Sequence, residues 1–254
     1  MKLIPLPAFN DNYIWMLHDE GRALVVDPGD AQPVLAALQL NGLKLETILV
    51  THHHSDHTSG VAELHNVTGA LVFGSAKSQN QPMTGLCEGD TVTALGLRFE
   101  VLEVPGHTAD HLAYYCQPPD EPPLLFCGDT LFSAGCGRLF EGSPDQLLAS
   151  LTRLAALPDA TRVCCAHEYT LNGLRFAQAI EPDNTAVATY QAQAQALRQH
   201  HLPTLPSTLG LEKTINPFLR THCPGVIKAV QHRGACACDP VGVFTALRNW
   251  KDQF

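Results

Sequence analysis

The sequence predicts a layered α/β protein with two sheets, followed by a small helical domain. Short apolar or alternating runs recur through the first two thirds of the chain, and several are separated only by turns. After about residue 168 helical patterns replace them. Successive strands joined by turns, with helices between only some of them, argue against a doubly wound parallel sheet.

The strand-like runs are, in chain order, YIWMLH, ALVVD, TILVTH, ALVFG, LRFEVLEV, HLAYYC, LLFCGD and RVCCAH. Between some of them, QPVLAALQLNG and SPDQLLASLTRLAAL predict helices, the second with a capping signal at Ser143. Farther on, GLRFAQAI, AVATYQAQAQALRQ and VFTALRNWKDQ predict helices. We therefore expect an α/β domain over residues 1–167 and a helical domain over residues 168–254.

Composition limits the class of protein. The 254 residues can bury a substantial core, and the formal net charge of −9 argues against a general nucleic-acid surface. No apolar run is long enough to cross a bilayer, and the nine cysteines are spread along the chain without an export signal. The CAC run at 236–238 lacks the two-residue gap of common zinc knuckles. We expect a cytoplasmic monomer with reduced thiols that binds neither nucleic acid nor a membrane.

The segment THHHSDHTSG, residues 51–60, predicts a metal site. If the preceding strand continues into it, His52 and His54 point to one side and His53 to the other. Asp56 and His57 follow where the chain must turn. These are more ligands than one zinc ion usually takes from a single local segment, so the pattern indicates two metals with His53 as a bystander. A solvated histidine-rich loop is the alternative, and the strand context and the aspartate argue against it.

Three further strand-like runs each end in one polar residue of a ligand type: His107, Asp129 and His167. Together with the first motif they make a seven-ligand set for two metals. One group consists of His52, His54 and His107, the other consists of Asp56, His57 and His167, and Asp129 lies between the two groups. Five imidazoles and two carboxylates suit zinc, iron or manganese, whereas calcium and magnesium prefer oxygen ligands.

The motifs THHHSDH, PGHTADH, CGDT and CCAHEYT, in this order and spacing, resemble those of the metallo-β-lactamase superfamily. Within it, NDNYIW, VDPGD, LFSAGCGRLFEG, INPFLR and LRNWKDQF resemble the glyoxalase II (hydroxyacylglutathione hydrolase) family over essentially the whole chain. The resemblance implies an αββα metallo-β-lactamase-like sandwich, then a helical substrate-binding domain.

The resemblance also implies a reaction. Two divalent metals, zinc being expected and iron or manganese remaining open, would be bridged by Asp129 and would activate a hydroxide as the nucleophile, with Asp56 and Asp129 as the catalytic carboxylates. The substrate would be an S-(2-hydroxyacyl)glutathione, chiefly S-D-lactoylglutathione, cleaved to glutathione and D-lactate in the second step of methylglyoxal detoxification. The thiolate can leave unprotonated, so no separate general acid is required. Asp27 and His111 are expected to orient ligands.

Glutathione carries two carboxylates, so its site needs local positive charge. Residue-by-residue resemblance implies a substrate-binding set consisting of Arg138, Phe140, Tyr169, Asn172, Arg248 and Lys251. Three positions depart from the usual family pattern. Arg138 stands where some members have a lysine, so the positive charge is kept. Phe140 replaces a tyrosine found in some members and so lacks a hydroxyl group, and Asp110 replaces a glycine close to the ligands.

Three other functions fit part of the pattern. If the protein were a β-lactamase, the segment LRNWKDQF would have no role and the protein would need to be exported. A glutathione persulfide dioxygenase would resemble a one-iron site, and it is the alternative closest in substrate. A non-catalytic metal-binding domain would hold metal without turnover.

Overall fold

The computed structural model describes residues 1–78, 83–235 and 239–254, so the CAC run at 236–238 lies outside the described residues. The chain forms two compact units and passes between them several times. The first unit consists of Met1–Val104, Asp110–Gly128 and Cys164–His167, and the second consists of Pro105–Ala109, Asp129–Val163 and Glu168–Phe254. The second unit therefore includes two stretches that precede residue 167, besides the predicted helical segment.

The first sheet of the first unit runs in the order β1 to β6. Its strands are β1 (Lys2–Ala8), β2 (Asn12–His18), β3 (Arg22–Val26), β4 (Lys44–Leu49), β5 (Leu71–Ser75) and β6 (Thr84–Leu86). The first three pair antiparallel, and β3 to β6 pair parallel. Pro5 and Pro7 lie in β1, where an edge position tolerates the missing amide hydrogens.

The described residues of the first unit form three helices: α1 (Ala31–Asn41), α2 (Ser55–Thr58) and α3 (Val61–Thr68). Helix α1 begins after Asp30, whose side chain accepts a hydrogen bond from the Gln32 amide, and it ends at Gly42, where φ is 63°. Helices α1 and α3 bury apolar side chains in one cluster with β2 to β5, whose members include Val34, Leu38, Leu64, Met16, Val25, Ile48 and Val72. This burial holds β4 against the helices and so fixes where the histidine-rich segment begins.

The second sheet of the first unit contains the antiparallel strands β7 (Thr91–Ala94), β8 (Leu97–Glu103), β9 (Leu112–Cys116) and β10 (Leu124–Gly128). In the sheet order β13 (Arg162–Cys165) follows β10. Only the end of β13, from Cys164 on, belongs to the first unit. The strands β9 and β10 are buried throughout. The buried Tyr114 hydroxyl on β9 donates to the Val50 carbonyl just after β4, at 2.7 Å, and so ties the two sheets together.

The second unit is mainly helical. It contains α4 (Pro144–Ala155), α5 (Thr170–Ile180), α6 (Thr185–Gln199), α7 (Leu209–Ile215), a short 3₁₀ helix (Pro217–Leu219), α8 (Pro224–His232) and α9 (Pro240–Asp252). Its described residues also form two small β pairs: β11 (Leu131–Phe132) with β12 (Gly135–Cys136), and β14 (Ser207–Thr208) with the start of β13. A buried cluster joins α5, α6 and α7, with Leu174, Val187 and Ile215 among its members.

All eight predicted strand runs contain strands, and the five predicted helical patterns contain α1, α4, α5, α6 and α9. One strand is shorter than expected: β4 ends at Leu49, so the histidines that follow do not lie on a strand. The seven cysteines in the described ranges are free thiols. Within those ranges, every helix is too short or too polar to cross a membrane.

Candidate active site

The histidine-rich segment lies in the loop between β4 and α2. Nδ1 of His52 lies 3.0 Å from Thr51 Oγ1, and because that hydroxyl donates to Asp27, the imidazole must be the donor to it. The lone pair of His52 is therefore on Nε2, which lies 3.1 Å from His54 Nδ1. Two imidazoles thus converge, and it is the loop, not strand alternation, that brings them together.

The neighbouring His53 turns to a different partner. Its Nδ1 lies 2.9 Å from Oδ1 of the buried Asp110. The aspartate at the position where the family usually has glycine therefore contacts the histidine predicted to be a bystander. His53 is engaged by this contact, and its ring also lies edge-on to that of His54, with centroids 5.1 Å apart.

A second convergence of ligand atoms joins Asp56, His57 and His167. Oδ2 of Asp56 lies 3.3 Å from His57 Nε2 and 3.5 Å from His167 Nε2, and the three ligand atoms all lie within 4.8 Å of one another. The side-chain amide of Asn12 donates to the same carboxylate oxygen at 3.0 Å. Two imidazoles and a carboxylate are a donor set that suits zinc, iron or manganese, so these residues fit a transition-metal ion.

Buried or half-buried carboxylates orient both imidazoles of this group. Nδ1 of His57 donates to Asp27 Oδ2 at 3.1 Å, and Nδ1 of His167 donates to Asp11 Oδ1 at 2.8 Å. Each Nε2 is thereby left as the ligand atom, an arrangement that raises the basicity of a metal-binding histidine. Asp11 is absent from the predicted site residues. It lies in NDNYIW, one of the motifs that resemble the family, and that motif could have indicated it.

Asp27 organises the loop as well as the ring of His57. Its carboxylate accepts hydrogen bonds from the Thr51 amide and the Thr51 hydroxyl, both at 2.7 Å, while it is only 4% exposed. His111, the other predicted orienting residue, stacks on His52 with ring centroids 4.6 Å apart and an interplanar angle of 15°. Asp27 and His111 thus each contact a histidine predicted to bind metal.

The electrostatics of the group favour an ionised Asp56. A side-chain hydrogen bond with His57 is the largest influence and, against the opposing effect of burial, holds the pKa of the Asp56 carboxyl well below its usual range. Asp56 is thus anionic over the whole neutral range.

In the second unit, His107 and Asp129, both predicted as metal ligands, contact each other. Nδ1 of His107 donates to the Arg138 carbonyl at 2.9 Å, which leaves Nε2 facing Asp129 Oδ2 at 3.5 Å. The backbone at Gly137 passes close to both, because a Cβ atom there would collide with the Asp129 carbonyl and lie 3.0 Å from His107 Nδ1. The glycine is therefore required by close packing behind the pair.

His107 and Asp129 both line a cavity of about 520 Å³ within the second unit. Its walls come from the β11–β12 hairpin and the following loop, the start of α5 and the end of α9. All six residues predicted to bind substrate line it, namely Arg138, Phe140, Tyr169, Asn172, Arg248 and Lys251.

Three cationic side chains line the cavity, and they differ in solvent exposure, in hydrogen bonding and in pKa. Arg138 has a largely solvent-exposed side chain, with 65% of it accessible, whereas Arg248 is 4% exposed. The ammonium group of Lys251 donates to Asn172 Oδ1 at 2.6 Å. Burial, helped by repulsion from Arg248, lowers the pKa of Lys251 to about 8. The cavity is thus positively charged, and one of its charges titrates near neutrality.

Aromatic rings and a thiol form the rest of the wall. Phe140 is exposed and lies edge-on to the imidazole of His107, with centroids 5.2 Å apart, and Tyr169 lies edge-on to Phe132 at the same separation. Burial raises the pKa of the Cys136 thiol to about 11, so it is protonated at neutral pH. Cys136 is therefore a poor nucleophile, as expected of an incidental buried thiol.

Comparison with known proteins covers the whole chain. A family model described as the metallo-β-lactamase superfamily matches residues 8–167, and one described as the hydroxyacylglutathione hydrolase C-terminus matches residues 168–254. The hydroxyacylglutathione hydrolase of Albidiferax ferrireducens is 65% identical over 255 residues, covering 100% of both chains.

Solved structures show the same fold. ETHE1 from Myxococcus xanthus has a TM-score of 0.66 at 26% identity, covering 99% of this chain and 98% of its own. TTHA1623, solved in a di-iron-bound form, has a TM-score of 0.61 at 27% identity, covering 86% of this chain and 100% of its own. The predicted fold class, a metallo-β-lactamase fold with a helical C-terminal domain, is confirmed. The chain belongs to the hydroxyacylglutathione hydrolase family of the metallo-β-lactamase superfamily.

Proposed function

We propose that the protein is a thioesterase that hydrolyses S-(2-hydroxyacyl)glutathione, chiefly S-D-lactoylglutathione, to glutathione and D-lactate in the second step of methylglyoxal detoxification. The cavity carries this proposal, because the cationic and aromatic side chains predicted for glutathione line it together with His107 and Asp129. Full-length relatives that bear the name hydroxyacylglutathione hydrolase, at 65% and 52% identity, support it.

The proposed enzyme depends on two divalent metal ions. His52, His54 and His107 would hold one ion, Asp56, His57 and His167 the other, and Asp129 would serve both; this assignment rests on the sequence motifs. The donor chemistry of the converging groups within each unit supports it. When bound, such ions supply a water of lowered pKa and polarise a carbonyl group.

The chain's own residues contribute binding and orientation. Asp11 and Asp27 accept from Nδ1 of His167 and His57, so the lone pair of each neutral imidazole is on Nε2 and the ring is held in a fixed orientation. Arg138 and Lys251 supply charge for the carboxylates of the tripeptide, and Phe140 offers an apolar surface without a hydroxyl group. No side chain is needed as an acid for the leaving thiolate, because its thiol is already acidic enough to leave as an anion.

We further propose zinc as the expected metal, with iron or manganese as substitutes, and a monomer that acts in the cytoplasm. The mixed imidazole and carboxylate donors accept all three metals, so supply in the cell decides among them. The free thiols of the seven described cysteines support a reducing compartment.

The test is an assay of the purified, metal-analysed protein on S-D-lactoylglutathione. We expect hydrolysis that is lost on chelation and restored by added zinc, and about two metal ions per chain. His167→Ala should lose both metal and activity, whereas the matched control His200→Ala, at the exposed end of α6, should keep both.

Fully metallated protein that does not hydrolyse the thioester would contradict the proposal. One iron per chain with oxygen uptake on glutathione persulfide would instead support the dioxygenase alternative. Bound metal with no turnover on either compound would support a non-catalytic metal-binding domain.

A further inference from the structure

A carboxylate of the protein itself lies among the cations of the substrate cavity. Asp252, the last residue of α9, lines the cavity, and the same oxygen, Oδ1, faces two arginines. It accepts hydrogen bonds from Arg248 Nη2 at 2.8 Å and Arg248 Nε at 3.2 Å, and it lies 3.6 Å from Arg138 Nε.

The buried Arg248 has little capacity left for another anion. Its Nη1 donates to the backbone carbonyl groups of Cys136, at 3.0 Å, and Gly137, at 3.4 Å. A guanidinium has five N–H donors, and Asp252 and these carbonyls occupy four of them. A substrate carboxylate that approaches Arg248 therefore has one remaining N–H to bind, and it must displace Asp252 to accept more than one.

The other two cations differ from Arg248. Arg138 is largely exposed and its nearest carboxylate is Asp252, at a distance where the interaction is that of a loose ion pair. Lys251 binds the neutral Asn172. Asp252 is thus positioned to oppose a bound carboxylate at both arginines, while it leaves Lys251 to attract it.

We propose that Asp252 sets the affinity of this cavity for glutathione carboxylates, by holding in the free enzyme the anion position between Arg138 and Arg248. The inference rests on the proposed function and deepens it. A competing internal carboxylate weakens the binding of substrate and product alike, so the thiol product is released more readily. Asp252 is in this sense a specificity-determining residue for the anionic part of the substrate.

Asp252→Asn tests the proposal because the amide oxygen can still accept from Arg248 while the negative charge is gone. We expect KM for S-D-lactoylglutathione and the dissociation constant of glutathione, measured by calorimetry, both to fall at least about threefold. An unchanged or higher value of both constants would overturn the proposal, because Asp252 would then only hold Arg248 in place.

Two controls separate charge at the cavity from other effects. Asp183→Asn removes one charge from the α5–α6 loop, outside the cavity, and should leave both constants unchanged. With both tripeptide carboxylates esterified, Asp252→Asn should no longer lower KM, and an equal decrease for the ester would overturn the electrostatic explanation. Glutathione binding can be measured without turnover, so a failure of the proposed thioesterase activity remains distinguishable from a failure of this inference.

Discussion

At the scale of single residues, the site is organised by side chains that stand behind the ligands. Asp27 connects His57 to Thr51, Asp11 holds His167, and the Arg138 carbonyl holds His107. In each case Nδ1 is the hydrogen-bonded atom, so Nε2 is the one available to a metal. The orientation of these imidazoles therefore depends on oxygen atoms that contact their Nδ1 side, two of them side-chain carboxylates and one a backbone carbonyl.

Asp11→Ala is expected to weaken metal binding by about tenfold or more, because His167 loses the acceptor that fixes its tautomer and ring orientation. The measurement is the metal content after dialysis against a graded series of chelator concentrations. Glu20→Ala, an exposed carboxylate removed from the β2–β3 turn, is the matched control and should retain metal as the native protein does. Equal retention by both variants would contradict the role of Asp11.

The titration of Lys251 predicts a pH dependence of substrate binding. Its pKa of about 8 means that the ammonium charge is present below pH 8 and is lost as the pH rises through that value. We expect KM to rise about threefold or more between pH 7 and pH 9.5, since one attraction for the substrate carboxylates disappears. Lys251→Arg, whose guanidinium stays charged, should show a KM nearly independent of pH over this range. A rise of equal size in that variant would assign the effect to another group.

At the scale of elements, a buried polar network shapes the β11–β12 hairpin that forms part of the cavity wall. The Glu212 carboxylate accepts from Ser133 Oγ and the Ala134 amide, both at 2.8 Å. The Asn216 side chain donates to the carbonyl groups of Phe132 and Gly135, at 3.1 and 2.9 Å. The INPFLR motif, which contains Asn216, thus fixes a hairpin far from it in sequence.

Asn216→Ala is expected to lower the free energy of unfolding by about 3 kcal/mol, because it leaves two buried carbonyl groups without their donor. Urea denaturation measures this change. Asn249→Ala, on the exposed face of α9, is the matched control and should change stability by less than about 0.5 kcal/mol. A small effect of Asn216→Ala would mean that water replaces the lost donor.

Elements with strong periodicity were predictable, and the exceptions have physical causes. The prolines of β1 argue against a strand, yet an edge position tolerates them. Helices α2 and α7 have four and seven residues, too few to show a helical period. Pairs as short as β11 with β12 depend on the hydrogen bonds of Glu212 and Asn216, which no local pattern records.

At the scale of the whole molecule, charge and metal binding act across distant parts of the sequence. The net charge of −9 repels anions in general, whereas the cavity concentrates Arg138, Arg248 and Lys251. The group of Asp56, His57 and His167 joins the segment after β4 to the segment after β13. A bound ion would therefore crosslink widely separated parts of the chain.

Metal removal is accordingly expected to lower the melting temperature by several degrees, because an ion that binds only the folded chain stabilises it. Differential scanning calorimetry with and without chelator, followed by readdition of zinc, measures the effect. His57→Ala should have a melting temperature that chelation changes less than that of the native protein. An identical response in the two proteins would contradict metal binding by this group.

The sequence by itself determined the fold class, the family and the identity of the ligand-type residues, because strand periodicity and the spacing of histidines and aspartates are local properties of the chain. Only the tertiary structure decided which atoms meet: Asp11 behind His167, Asp110 beside His53, and Asp252 among the arginines of the cavity. These pairs depend on how turns and helix ends direct side chains that are distant or unpatterned in sequence. A charged residue near the end of a helix looks the same in sequence whether it faces solvent or a cavity.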